Sequence, residues 1–174
     1  DDTDDFVVRE ESPLNPRSPY ARTKFMMEMV LRDFCNSYHM QGIALRYFNP
    51  IGADPQMRSG IHVEAPSHVL GKLVDTALGK QEFFSITGTD YPTRDGTGLR
   101  DYIHLWDLVR AHVMAVEDFA GVFERAGSPA DNYVVINLGT GRGVTVRELV
   151  TAFENVFEQK LNVHEMPRRP GDIA

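Results

Sequence analysis

The stretch YVVINLGTGRGVTVRELVTAFENVFE, residues 133–158, decides the fold class. Its opening YVVINLG (133–139) is apolar but for Asn137, the pattern of a parallel strand buried on both faces. Thr145 then stands as an N-cap with Glu148 three residues on, a capping box that starts a helix over 145–158. The GTGRG between them joins strand to helix, but its glycines do not have the spacing of the dinucleotide-binding fingerprint.

Working outward, the same alternation recurs. Ser18 is placed to cap a helix running to Tyr38, with Pro19 at the first position, where a missing N–H costs nothing. Met27, Leu31, Phe34 and Cys35 are expected on one apolar face, widened by Phe25, Met26 and Met29, so the helix reads as buried on two sides. Gly42 releases the chain into a strand IALRYFN. HVLGKLVDTALG (68–79) reads as a helix closed by Gly79, and Phe83 to Ile86 as a short strand. After the turn-rich GTDYPTRDGTG (88–98) come an extended RDYIHL (100–105) and an amphipathic helix over 106–123. A last strand is expected around Leu161–His164. Strands alternating with helices imply α/β with a mainly parallel sheet.

The bulk numbers bound the function. The 174 residues suffice for one domain or two small lobes, and the hydrophobic fraction of 42% is ordinary for a globular chain. A net charge of −7 argues against a nucleic-acid binder, though local arginines can still hold an anionic ligand. No apolar run approaches the ~20 residues of a membrane span, and no charged-then-apolar leader suggests secretion; a cytoplasmic location is the default. The single cysteine, Cys35, excludes an intrachain disulfide and any multi-thiolate metal site. The histidines lack metal-ligand spacing, so no metal is assigned, and His104 reads as structural. The chain opens on the acidic DDTDD without a methionine, as the inside of a longer protein would.

SPYARTK (18–24) carries the candidate chemistry. Tyr20 and Lys24 are four apart on a helix, which stacks them roughly 5–6 Å apart at Cβ. A phenol is a poor base near neutrality, and an ammonium one turn away favours the phenolate. Alone, such a pair arises by chance in many helices. It is joined here by LRYFNPIGA (45–53), GTDYPTRDGTGLRDYIHLWDL (88–108), YVVINLGTGRGVTVREL (133–149) and PRRPGD (167–172). In that order and spacing the chain resembles, from Ser18 onward, the epimerase branch of the extended short-chain dehydrogenase/reductase family of nucleotide-sugar enzymes.

The resemblance implies a partial doubly wound, Rossmann-type parallel sheet with a smaller α/β substrate-binding lobe. Residues 1–50 and 100–140 would be the remainder of the NAD-binding domain, and 51–99 with 141–174 the nucleotide-sugar lobe. It implies NAD-dependent 4-epimerisation of UDP-glucose and UDP-galactose, with NAD taking hydride from sugar C4 and returning it to the opposite face. Tyr20 would exchange the proton of the 4-hydroxyl, Lys24 would hold the nicotinamide ribose, and Tyr47 would lie beside the carboxamide. Phe48, Asn49, His68 and Val69 match substrate contacts, His68 standing where many of these enzymes have asparagine. Arg100 and Arg169 match arginines that grip the pyrophosphate, as a guanidinium fork suits paired oxygens. Ser85 and Thr87 lie where uracil is received, and Asp172 matches the carboxylate on the uridine ribose. The helix Tyr20–Tyr38 would build a homodimer.

The Gly-rich turn, the first strands and the Ser/Thr of the family's catalytic trio are absent from the 174 residues, so the chain alone is expected to be inactive. The sequence ends short of the residues that tune acceptance of N-acetylated sugars. Two other readings are a related dehydratase or decarboxylase, and a non-catalytic nucleotide-sugar or NAD-binding module. The first usually needs an acid beside the tyrosine, where Ala21 and Arg22 stand. The second commonly loses the tyrosine or lysine, and both are present.

Overall fold

A computed structural model describes residues 7–126 and 132–169. In chain order its elements are α1 (Pro19–Tyr38), β1 (Gly42–Tyr47), β2 (Asn49–Ile51), α2 (Val69–Ala77), β3 (Phe84–Thr87) and β4 (Leu99–His104). Then follow α3 (Leu105–Glu117), α4 (Phe119–Arg125), β5 (Tyr133–Leu138), β6 (Gly143–Thr145), α5 (Val146–Phe157) and β7 (Val163–Met166). The pairs β1–β5, β2–β4 and β3–β7 are parallel and β4–β6 is antiparallel. The chain is therefore α/β with parallel sheets.

Two units are formed, Asp1–Phe48 with Asp107–Leu138, and Asn49–Trp106 with Gly139–Ala174. The division by sequence had put 100–140 with the first. β4 instead stays in the second unit, because its hydrogen bonds go to β2 and β6.

In the first unit α1 begins as its sequence requires: Ser18 Oγ accepts the Ala21 N–H at 3.0 Å and Pro19 follows the cap. The packed stripe, however, is Ala21, Phe25, Glu28, Leu31 and Cys35. Met27 and Phe34, expected on the same face, are 62% and 50% exposed. The reason lies in β1. Gly42 has no side chain, and a Cβ there would stand 2.7 Å from Cys35 Sγ. That close approach turns Cys35 inward and rotates Phe34, about 100° around the helix, away. β5 is also less enclosed than its apolar sequence suggests: Val134 is buried and its neighbours are half-buried.

Two further expectations are corrected in this region. IALRYFN is not one strand: Tyr47 is the last residue paired with β5, and Asn49 opens β2, which pairs with Tyr102 of β4. The helix expected over 106–123 is divided at Asp118, whose backbone leaves the helical region (φ −117°, ψ 40°). The Asp118 carboxylate folds back over Gly121, where a Cβ would meet Oδ1 at 2.2 Å, and pairs with Arg125 at 2.7 Å.

In the second unit α2 and α5 cover β3 and β7 around Leu73, Phe84, Ile86 and Val150, with Val69, Val146 and Phe153 packed against them. α2 ends in a Schellman motif: Gly79 (φ +69°) donates to Thr76 O at 3.1 Å and Lys80 to Asp75 O at 2.8 Å. The α5 capping box is complete, with Thr145 Oγ1 accepting from Glu148 N and Glu148 Oε2 from Thr145 N. The last strand lies two residues later than expected. The Leu161 N–H goes to the Glu154 carboxylate at 3.0 Å, so the ladder with β3 starts at Val163.

Candidate functional site

A cavity of about 510 Å³ opens in the second unit. Seven of the residues singled out from sequence line it: Asn49, His68, Val69, Ser85, Thr87, Arg100 and Arg169. They come from β2, the start of α2, β3, β4 and the segment after β7, and the local fold explains each position.

Arg100 sits on β4 beside Val144 of β6, directly after the 88–98 loop. That loop is held tightly. Gly96 (φ +80°) lies so close to Thr89 that a Cβ would come 2.3 Å from its carbonyl oxygen. Asp95 accepts from Thr97 N (2.9 Å), Thr97 Oγ1 (2.7 Å) and Thr145 Oγ1 (2.5 Å). Burial raises the Asp95 carboxyl's pKa, and the bonds from Thr145 and Thr97 outweigh it and leave it below the usual range. Arg94 binds Glu148 through Nε at 2.6 Å and the Gly143 carbonyl through Nη2 at 2.8 Å. The loop is thus fastened to the start of α5. The Arg100 guanidinium donates to its neighbour's carbonyl, Leu99 O, at 2.6 Å.

Across the cavity, Thr87 Oγ1 accepts from Arg169 Nη2 at 3.0 Å and Nε at 3.3 Å, tying the segment after β7 to the end of β3. His68 is the N-cap residue of α2 with extended backbone (φ −79°, ψ 149°), and its side chain makes no capping bond. Pro66 packs so closely over Gly71 that a Cβ there would lie 2.4 Å from the proline ring. The helix start is thereby fixed at the cavity wall with its imidazole uncommitted to the cap.

Sequence reading missed Lys72, Gln81, Tyr91 and Tyr102, which also line this cavity. Two carried a usable signal. Tyr102 is two residues beyond Arg100 on a strand, hence on the same face. Lys72 is four beyond His68 on a helix, hence one turn along the same side. Burial pushes the Tyr102 phenol above its ordinary pKa, opposed by the nearby Arg100 charge. Tyr91 is buried with its hydroxyl unpartnered, and Arg168 stacks on its ring at 3.9 Å.

The remaining candidates lie in the first unit. Lys24 Nζ is 5.4 Å from the Tyr20 ring centroid, and the phenol is 69% exposed. One turn of α1 therefore carries an accessible phenol and an ammonium side by side. Tyr47 ends β1, half exposed, with its ring 6.2 Å from that of His112. Phe48 follows, its N–H bonded to Leu138 O at 3.1 Å. Asp172 lies outside the described residues.

GTGRG wraps the chain's own Asp101. Thr140 N, Thr140 Oγ1 and Gly141 N all donate to its carboxylate at 2.7–2.9 Å. His104 is committed structurally: its Nδ1 accepts the Trp106 N–H at 3.1 Å and its ring fills the space over Gly52. Among the described residues no three His, Cys, Asp or Glu are grouped to hold a metal ion, and no helix is long and apolar enough to cross a membrane.

The chain is thus an α/β protein with parallel sheets, a phenol–ammonium pair on one helix and a cavity lined by two arginines. Residues 2–129 match the NAD dependent epimerase/dehydratase family, and the chain belongs to that family. It is 44% identical over 169 residues to the UDP-glucose 4-epimerase of Bacillus subtilis (strain 168), covering 96% of this chain and 48% of that protein. With the UDP-glucose 4-epimerase of Rhizobium meliloti (strain 1021) the identity is 43%, over 97% of this chain and 49% of the relative. The chain spans about half the length of the curated relatives it matches. Among solved structures it is similar to the UDP-glucose-4-epimerase of Stenotrophomonas maltophila with bound NAD and formylated UDP-arabinopyranose. The TM-score is 0.87 at 37% identity, over 99% of this chain and 49% of that one. It is also similar to the Bifidobacterium longum enzyme in complex with NAD+ and UDP, with TM-score 0.85 and 34% identity over 97% and 49% of the two chains.

Proposed function

We propose that this chain is part of a UDP-glucose 4-epimerase, interconverting UDP-glucose and UDP-galactose. The observation that carries the reading is the gathering of Asn49, His68, Ser85, Arg100 and Arg169 on one cavity. Paired guanidinium groups suit the oxygens of a diphosphate, and polar strand-edge groups at Ser85 and Thr87 suit a nucleobase. The second unit is accordingly the nucleotide-sugar lobe, and the first belongs to the cofactor-binding domain.

The donor set on the first unit fits the nicotinamide end of NAD: an exposed phenol, an ammonium one turn on, and the half-exposed Tyr47. When bound, NAD supplies the acceptor and donor of hydride for sugar C4. The Tyr20 phenolate takes the proton of the sugar 4-hydroxyl and later returns it. Lys24 favours the phenolate by its charge and holds the cofactor ribose. Tyr47 would face the carboxamide, Phe48 and Asn49 would contact the sugar nucleotide, and Asp172 is the residue assigned by resemblance to the uridine ribose. The 174 residues contain no Gly-rich fingerprint turn, so a polypeptide of these residues alone is expected to show no turnover.

The test is made on the protein at its full natural length. It interconverts UDP-galactose and UDP-glucose and binds UDP, and Arg100→Met weakens UDP by roughly tenfold or more, the loss of a charge-assisted bond. Wild-type protein with neither UDP binding nor interconversion would sink the reading.

A further inference from the structure

We propose that Lys72 is a phosphate-binding residue of the cavity, a third cation beside Arg100 and Arg169. The inference rests on the nucleotide-sugar reading of that cavity and deepens it, since it names a residue that sets how the site counts phosphates.

Lys72 lines the cavity one turn after His68 on α2 and is half-buried. Its neighbours anchor this turn of the helix: Leu73 is wholly buried in the core and Gly71 is packed beneath Pro66. Lys72 thus stands on the cavity side of α2, where a long stem can carry its ammonium to a ligand. Other lysines of this unit have acid partners, Lys160 with Glu154 at 2.6 Å and Lys80 with Asp75 at 3.9 Å. The Lys72 ammonium has no ion pair or hydrogen bond among the described residues, in a chain where acids outnumber Lys and Arg by 25 to 18. None of the described residues lining the cavity is acidic.

A lysine held beside a cavity, away from the abundant carboxylates, is placed for an anion that arrives with the ligand. The start of α2 adds to the same effect, because its first N–H groups receive no side-chain cap. Lysine binds phosphate as a point charge on a flexible stem, whereas the arginines bind as forks. Lys72 therefore contributes to affinity through phosphate charge and not through the nucleoside.

The experiment titrates the full-length wild-type protein, Lys72→Gln and Lys72→Arg with uridine, UMP and UDP by calorimetry at low and high salt. Lys72→Gln is expected to lose about tenfold in UDP affinity, the loss of one charged contact. It should bind uridine as wild type does and show a flatter salt dependence for UDP. Lys72→Arg should keep most of the UDP affinity. Thermal melts check that the variants fold alike. If wild type binds UDP and Lys72→Gln matches it in affinity and salt slope, the role of Lys72 is overturned while the nucleotide reading stands. If wild type binds none of the three ligands, the nucleotide reading itself fails and the proposal with it.

Discussion

Arg46 on β1 and Glu28 on α1 meet through a two-pronged contact, Nε to Oε1 at 2.9 Å and Nη2 to Oε2 at 2.6 Å. Tyr133 of β5 donates to the same carboxylate at 3.3 Å, and Arg46 Nη1 reaches Glu10 O at 3.0 Å. The helix that carries Tyr20 and Lys24 is thereby fixed to both strands of its sheet. The Arg46 hydrogen bond holds the Glu28 carboxyl below its ordinary range, against the opposing effect of burial. Glu28→Gln leaves a half-buried guanidinium without its charge partner and should cost about 2 kcal/mol in urea unfolding. A folded pKa below the unfolded one means this stabilisation is present above the ordinary carboxyl range and fades as pH falls through the lowered value.

Acid and base should act on different units of the chain. Arg94 and the Thr145 N–H hold Glu148 at about 2, from an ordinary 4.5. Its contribution is full above pH 4.5 and lost as pH falls toward 2, so Glu148→Gln should flatten the stability curve in that window. Burial, then Glu28, pushes the Tyr133 phenol up to about 12. That contribution is full below its ordinary 10 and lost as pH rises through 12, and Tyr133→Phe should remove the alkaline fall. Denaturant midpoints across pH measure both.

Gly42→Ala should be destabilising by about 1–3 kcal/mol, an overpacking cost. The new methyl would meet Cys35 Sγ at 2.7 Å. Cys35→Ala in the same chain makes room and should recover part of the loss, which a double-mutant cycle in urea would register. Additive losses would show that the approach of α1 to β1 does not depend on this pair.

The outer face of α1 leaves Met26, Met27, Met29, Val30, Phe34 and Tyr38 about half exposed or more. Such a continuous apolar surface suits a second copy of the protein. Sedimentation of the full-length protein should give a dimer, and Val30→Glu with Phe34→Glu a folded monomer. A wild-type monomer at micromolar concentration would refute the homodimer.

Much of this was legible from local rules. The capping box at Thr145 and Glu148, Ser18-Pro19 and the Gly79 terminus each act within one turn, so the sequence displays them. The misread features depend on distant partners. Cys35, not Phe34, faces inward because Gly42 comes from another element, and β7 starts at Val163 because Glu154 takes the Leu161 N–H. The break at Asp118 needed the side chain's return over Gly121 to be seen. In the cavity, motif matching supplied Arg100 and His68, while Tyr102 and Lys72 stood one period away on the same faces. Tyr91 gave no comparable signal, since its place depends on how the 88–98 loop folds.

The most direct test of the epimerase assignment is the rate at which full-length Tyr20→Phe converts UDP-galactose to UDP-glucose. Removing the phenol oxygen should lower kcat by roughly 10²–10⁴-fold, the usual contribution of a positioned proton-transfer group. UDP affinity should be unchanged, because Arg100, Arg169 and Lys72 remain. A Tyr20→Phe protein that turns over at the wild-type rate would contradict the assignment of Tyr20 as the proton-transfer residue.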